Sequence, residues 1–228
     1  MRRVRFENTG HYHIYNRGVN KSPIFYNEDD YLRFLHGVYF FNDSNFTPED
    51  FYHPQRYQGL ALDAKQPRNE MVDILAWCLM PNHYHFILSQ KTEKGISKFM
   101  HRLGTGYTMY LNRKYEGSGH VFQGTFRAKL IDNNEYFQHL TRYIHINPVS
   151  AHDKEWGKYG VRNLESSKQF LLKYKWSSLS DYLDLGNRFK ITSATFKNFV
   201  FTNDPDEYSN FLWEWLKNGL PNNFPIQG

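Results

Sequence analysis

Apolar and polar positions change period several times along the 228 residues, and each change predicts an element. Residues 9–17 alternate in character (His11, Tyr12, His13, Ile14, Tyr15, Asn16, Arg17) and close on Gly18, which predicts a strand. Asn27 can cap a helix that opens on Glu28, Asp29 and Asp30, since acids suit the positive end of a helix. Tyr31, Phe34, Leu35 and Val38 then recur at helical spacing. Over residues 42–70 no period is sustained; Asn, Asp, Pro, Gln and Arg dominate, and the stretch reads as an insertion or long loop. Met71 to Met80 is almost continuously apolar, as a strand buried on both faces is. Pro81-Asn82 makes a turn and His83 to Gln90 a second strand, so 71–90 is a hairpin.

Ile96 to Tyr115 carries apolar residues at 96, 99, 100, 103, 107, 110 and 111, a helix ended by Gly117 and Gly119. Residues 120–131 alternate again. Phe122, Gly124, Phe126, Ala128 and Leu130 share one face, and Val121, Gln123, Thr125, Arg127 and Lys129 the other, which predicts a strand with a packed face and a polar, partly cationic one. Asp132-Asn133 caps a helix over 134–146 that Pro148 stops. The order β-α-β-β-α-β-α is the split βαβ, ferredoxin-like arrangement. It predicts an α+β fold: an antiparallel sheet with two helices on one face, the other face being open for the added helix 134–146 or for a ligand. Residues 1–150 are expected to form this domain. Residues 151–228, with Trp176 and an acid-capped helix at 205–217, are expected to form a mostly helical extension packed on the same core.

Composition narrows the function classes. Aromatic residues make up 18% of the chain, so the core is built heavily from rings. Lys+Arg outnumber Asp+Glu by 28 to 23, a net +5 that leans towards nucleic acid. The single cysteine, Cys78, excludes a disulfide framework and a Cys-based zinc site; inside the run Ile74 to Met80 it is expected to be inert core. That run is the longest apolar stretch and falls far short of the roughly 20 residues of a membrane helix. The first 18 residues contain no apolar secretory core, so a cytoplasmic protein without a membrane partner is expected. Neither G-x-x-x-x-G-K-[ST] nor G-x-G-x-x-G occurs, which leaves a nucleotide-binding loop unsupported.

Three segments could carry chemistry. In Pro81-Asn82-His83-Tyr84-His85-Phe86-Ile87-Leu88 the two imidazoles lie two apart on a strand, hence on one face and about 7 Å apart, while Tyr84, Phe86 and Leu88 face the other way. Such a pair can converge on a cation, yet His11-Tyr12-His13 repeats the pattern, and histidines are ordinary on polar faces. In Thr141-Arg142-Tyr143-Ile144-His145-Ile146-Asn147-Pro148, Tyr143 and Asn147 are four apart on one helix face, which His139 extends by a turn. A core tyrosine and a helix-stopping asparagine explain this equally well; alternatively the amide oxygen completes a hard-cation site with two imidazoles, and the phenol points at it. Third, rings and cations interleave from Tyr110 through Arg113, Lys114 and Gln123 to Arg127 and Lys129, which suits phosphate contact with base stacking. Arg113 and Lys114 also suit a helix C-terminus for electrostatic reasons alone.

Together these segments resemble the HUH-type single-tyrosine transposases, in particular the REP-associated tyrosine transposases and the IS200-like transposases. His83-Tyr84-His85 after Met80-Pro81-Asn82 is similar to their His–hydrophobic–His motif, and Tyr143-Ile144-His145-Ile146-Asn147-Pro148-Val149 to their catalytic helix. Asn112-Arg113-Lys114-Tyr115, Gly119-His120-Val121-Phe122-Gln123-Gly124 and Trp176-Ser177-Ser178 add to the likeness, which covers roughly residues 9–183. The resemblance implies a divalent ion, Mg²⁺ or Mn²⁺, on His83, His85 and Asn147, with Tyr143 as nucleophile. It implies cleavage and rejoining of single-stranded DNA at hairpin-flanked sites through a 5′-phosphotyrosine. Arg17, Arg113, Lys114, Gln123, Arg127 and Lys129 would then contact DNA. His139, one turn before Tyr143, is a candidate proton acceptor read from spacing, not from the family. The insertion at 42–70 and the segment after about 184 have no counterpart in this likeness.

Other functions are weighed beside it. A replication-initiator or relaxase type nickase uses the same metal pair but differs in substrate and often in motif order. A non-catalytic, RRM-like single-stranded nucleic-acid module shares the sheet architecture but reads bases with rings on its central strands, where this chain has histidines. A hydrolytic metalloenzyme lacks a carboxylate at ligand spacing, Asp73 being the nearest acid. Monomer and homodimer are both compatible with the sequence.

Overall fold

Asn27 sets where the first helix begins, and Asn133, Asn163 and Asp204 cap later helices in the same way. The computed structural model describes residues 4–47, 68–186, 189, 191–199, 204–221 and 224. Its first strand, β1, spans His11–Arg17. Helix α1, Glu28–Phe41, is closed by a capping box in which the Asn27 side chain accepts from Asp30 N and the Asp30 carboxylate accepts from Asn27 N. Strands β2 (Val72–Met80) and β3 (His83–Gln90) form the expected hairpin, and helix α2 spans Gly95–Lys114. Strand β4 (Arg127–Ile131) leads into α3 (Asn134–Ile146), capped by the Asn133 side chain on Tyr136 N. A short 3-10 turn over Asn147–Ala151 carries Pro148 and ends α3. Among the described residues four further α-helices follow: α4 (Trp156–Tyr159), α5 (Leu164–Lys173), α6 (Leu179–Tyr182) and α7 (Pro205–Asn218).

The strands form one antiparallel sheet in the order β2-β3-β1-β4, the ferredoxin-like order expected of two interlocked βαβ units. Helices α1 and α2 pack on one face, against Tyr12, Ile14, Trp77, Tyr84, Phe86 and Leu88. The opposite face takes the added helix α3, one of the two occupants expected for it, together with α7. Leu75, Ala76, Cys78, Met80, Ile87 and Ile131 are covered by Phe137, Leu140 and Ile144 of α3 and by Leu212, Trp215 and Leu216 of α7. The cause lies in β2. It is apolar on both sides, and a register shift between Ile74 and Ala76 turns two successive residues, Leu75 and Ala76, to this second face. So much apolar surface needs a second layer.

The strand expected over 120–131 is shorter. Only Arg127–Ile131 pairs as β4, while upstream a single bridge joins Phe122 to Gly18. Gly124, at φ 150°, separates the two pieces. Leu130, expected on the packed face, is 47% exposed because β4 is the edge strand and the helical layer stops short of it. The other edge, β2, is protected by the chain after α5: Cys78 bridges to Ser177, and the Ser178 hydroxyl accepts from Trp77 N. The expected insertion is pinned at its neck, where the Asn42 amide exchanges two hydrogen bonds with Val72 and Asp43 bridges Glu70. Its residues 48–67 lie outside the described residues. Among the described residues no helix is long and apolar enough to cross a membrane.

Candidate active site

Strand register assembles one half of the site. On β1 and β3, Arg17 lies opposite His83 and Tyr15 opposite His85, so their side chains share the face turned towards α3. His13, two residues before Tyr15, is on that face too, and its ring stacks against Tyr15 (4.8 Å) and His85 (5.1 Å). Tyr84, Phe86 and Leu88 point into the α1/α2 layer, as alternation requires.

Helix α3 supplies the other half. Tyr143 and Asn147 project from it one turn apart. The Asn147 Nδ2 lies 3.3 Å from His85 Nε2, and the Tyr143 ring centroid 5.8 Å from that of His85. The Asn147 amide is also within hydrogen-bonding reach of His83 and of the Tyr143 phenol. Thus the structure gathers His83, His85, Tyr143 and Asn147 at one point between β3 and the end of α3.

The polar partners determine which imidazole nitrogens are bare. Asn82 donates its Nδ2 to the Lys21 carbonyl, so its Oδ1 faces His83 Nδ1 at 2.6 Å and accepts that N–H. His83 Nε2 is left with its lone pair. The amide of Asn147 is oriented likewise: the Ser150 hydroxyl bonds the Asn147 carbonyl at 2.7 Å and faces Oδ1 at 3.5 Å, leaving Nδ2 for His85 Nε2. On the far side of His85, Nδ1 meets His13 Nε2 at 2.9 Å.

Burial and neighbouring cations keep these rings neutral. Burial, then the Arg17 charge, lowers His83 to about 4; burial and the Lys129 charge lower His13 to about 3. His85 falls well below the usual histidine range through burial and the neighbouring His13, His83 and Arg17. Tyr143 is pushed up to about 12 by burial, against the opposing pull of the Asn147 amide and the Arg17 guanidinium. Two neutral imidazoles with bare nitrogens beside a carboxamide are a donor set that fits a divalent cation once the amide turns its oxygen to them. Carboxylates stay away: Asp73 pairs with Ser89 across the sheet, and its oxygen bonds Lys91 and Ser193. No group of three or more His, Cys, Asp or Glu placed to hold a metal occurs among the described residues.

The remaining predicted residues divide. Arg17 belongs to the site itself, and its Nε is buried without a hydrogen-bond partner. Gln123 N bonds the Arg17 carbonyl, so exposed Gln123 stands at the same rim. Arg127 and Lys129 lie opposite Tyr15 and His13 on β4, and the Lys129 ammonium sits 4.2 Å above the Tyr136 ring. Arg113 is exposed at the end of α2. Lys114 is committed elsewhere: its ammonium bonds Asp30 (2.7 Å), Tyr110 and Asn27, tying the end of α2 to the start of α1. The ammonium expected to contact DNA is thus held in a structural ion pair. His139, the candidate proton acceptor, stacks on Trp215 (5.3 Å) and faces Glu135 across a turn, because the hydrophobic side of α7 packs on that side of α3. Among the described residues its Nδ1 is buried with no hydrogen-bond partner.

Sequence reasoning weighed His13 only as half of a second His-x-His pair, and passed over Tyr15 and Asn82. The repeated His-x-His of β1 was the available signal, since its second histidine lands beside the first motif once β1 and β3 pair.

Comparison with known proteins follows the same lines. Residues 61–147 match the family model described as transposase IS200 like. No curated protein matches the chain significantly. A solved structure of a REP-associated tyrosine transposase bound to a REP hairpin is similar over 85% of this chain and 90% of that one, with a TM-score of 0.52 and 18% identity. Sequence and fold thus point the same way: residues 61–147 are similar to the IS200-like transposases. The fold as a whole is similar to that of a REP-associated tyrosine transposase.

Proposed function

We propose that this protein cleaves and rejoins single-stranded DNA beside hairpins, with Tyr143 as the nucleophile and a divalent ion as cofactor. The observation that carries this is the convergence of His83 Nε2, His85 Nε2, the Asn147 amide and the Tyr143 phenol, brought together from two strands' pairing and one helix. A Mg²⁺ or Mn²⁺ ion held by His83, His85 and the Asn147 amide would polarise the scissile phosphate and offset the charge developing on it. The protein's own groups do the rest. Tyr143 Oη attacks phosphorus in line; a phosphotyrosine bond forms and the bond to the 3′ oxygen breaks. The phenolic proton passes to solvent, and the departing oxygen takes one up. Arg17 favours the phenolate by its charge, against the burial that disfavours it. Asn147 holds the phenol in register with the imidazoles. Since the phosphotyrosine keeps the phosphodiester energy, rejoining needs no nucleotide, in keeping with the missing phosphate-binding loop.

Arg17, Gln123, Arg127 and Lys129 line the rim and supply a track for a phosphate backbone. The hairpin partner is carried over from the similar transposase, which was solved with one. An RRM-like platform is disfavoured, because α3 and α7 occupy the sheet face that would have to stack bases.

The test is incubation of purified protein with labelled, hairpin-bearing single-stranded DNA from its own genomic flanks and Mg²⁺ or Mn²⁺. A denaturant-stable protein–DNA adduct is expected, absent with EDTA and absent in Tyr143→Phe. An adduct undiminished in that variant overturns the tyrosine assignment.

A further inference from the structure

Each histidine of the pair has one nitrogen turned away from Asn147, and each such nitrogen is engaged. For His83 the partner is the Asn82 carboxamide oxygen, an ordinary acceptor. For His85 it is another imidazole: His13 Nε2 lies 2.9 Å from His85 Nδ1. His13 is 1% exposed and His85 0%, so no bulk water competes for either nitrogen.

Two ring nitrogens form a hydrogen bond only when one carries the hydrogen and the other is bare. The direction follows from the far side of His85. There the Asn147 Nδ2 faces Nε2, so Nε2 accepts. A neutral ring that accepts at Nε2 carries its hydrogen at Nδ1. His85 therefore donates, and His13 Nε2 accepts. The same logic puts the His13 hydrogen on its own Nδ1, which is buried and has no partner. A residue present only to fill volume does not explain that orphan, because an apolar side chain would fill the same space without one.

We propose that His13 is a positioning residue: by accepting Nδ1–H from His85, it keeps the lone pair of His85 on Nε2, the nitrogen that faces Asn147 and the proposed cation. The inference rests on the metal-site role of His85 for its purpose, but the tautomer it assigns stands on the hydrogen bonds alone. Metal-binding histidines depend in general on a partner at the second nitrogen to orient the ring and select the tautomer.

The experiment reads the two separately. Metal-free protein labelled with ¹⁵N-histidine is examined at neutral pH by long-range proton–nitrogen correlation, with His85 assigned from the His85→Gln spectrum. Mn²⁺ affinity is measured in parallel by electron paramagnetic resonance. The wild type is expected to show His85 protonated at Nδ1. His13→Leu leaves Nδ1–H buried against an apolar side chain, so the proton should move to Nε2, with the Asn147 amide turning its oxygen to accept it, and Mn²⁺ binding should weaken by about 10–100-fold. His13→Gln, which restores an acceptor oxygen, should retain the tautomer and most of the affinity. The proposal is overturned by a wild-type His85 protonated at Nε2, by a His13→Leu protein with unchanged tautomer and affinity, or by a folded His13→Gln protein that holds neither. Should His13→Leu fail to fold, the wild-type spectrum and His13→Gln decide. A wild type with the Nδ1 tautomer that binds no Mn²⁺ removes the metal reading and leaves the tautomer assignment in place.

Discussion

Asn147 and His85 approach the site from opposite layers and meet there, the amide Nδ2 of one lying 3.3 Å from the imidazole Nε2 of the other. Both are buried, and the Asn147 amide is the polar partner of His85 Nε2. Asn147→Ala leaves Nε2 unpaired and should cost about 1–3 kcal/mol of stability. It should also lower adduct formation more than tenfold under the proposed mechanism. Asn147→Gln keeps an amide at this end of α3 and should retain more activity than alanine. Thermal denaturation alongside the adduct assay separates the two effects.

Arg17 faces His83 across the sheet, and its charge bears on His83, His85 and Tyr143 together. The phenolate is the attacking form, and burial holds Tyr143 up at about 12, so the adduct rate should rise with pH through the alkaline range. Arg17→Gln removes a cation that lowers this value. At fixed pH the rate should fall several-fold, and the profile should shift to higher pH. Arg17→Lys should lose less. A pH–rate series on all three proteins checks this, and an unshifted profile in Arg17→Gln would rule out the electrostatic role.

Acid should unfold this protein early. His13 and His145 are held near 3, His83 near 4 and His85 well below the usual range, in each case chiefly by burial. Unfolded, all four take up protons as pH falls through about 6.5, whereas the folded protein does not. Stability is therefore fully present above about pH 6.5 and is lost as pH falls from there towards the folded values. At about 1.4 kcal/mol per pH unit for each group, the combined slope approaches about 5 kcal/mol per unit. Urea melts at pH 7.5, 6 and 5 should show it, and a flat profile would mean that the rings are not buried neutral.

Lys114 and Lys129 look alike in sequence but should behave oppositely. Lys114 bonds Asp30, a carboxylate with no exposed surface that also accepts from Tyr110 and Tyr115. Lys114→Met should lower stability by about 1–2 kcal/mol and leave hairpin affinity unchanged. Lys129→Gln, and likewise Arg127→Gln, should leave stability nearly unchanged and weaken hairpin binding, with the salt dependence reduced by about one counterion each. Denaturant melts and binding titrations at three salt concentrations distinguish the cases.

Local chemistry was legible where short-range physics decides it. The capping residues Asn27 and Asn133 mark helix starts because their amides satisfy nearby backbone N–H groups. Alternation over 83–90 places His83 and His85 opposite Tyr84, Phe86 and Leu88, since the strand period is two. The helical spacing of Tyr143 and Asn147 needs only a turn of four residues. Pro148 explains why the helix ends where it does.

What the linear order could not carry is which distant elements share a face. Pairing of β1 with β3 brings His13 to His85 across 72 positions, so one of two similar His-x-His patterns turned out to support the other. Packing of α7 on α3 turned His139 onto Trp215, and the close approach of α1 and α2 tied Lys114 to Asp30. The sequence by itself determined the element order, the ferredoxin-like class and the residue types of the site, because these rest on periodicity and nearest-neighbour chemistry. Only the tertiary structure decided the partners of each polar group and the covering of the second sheet face. Hydrogen bonds and burial depend on distance in space, which strand register and helix packing set together.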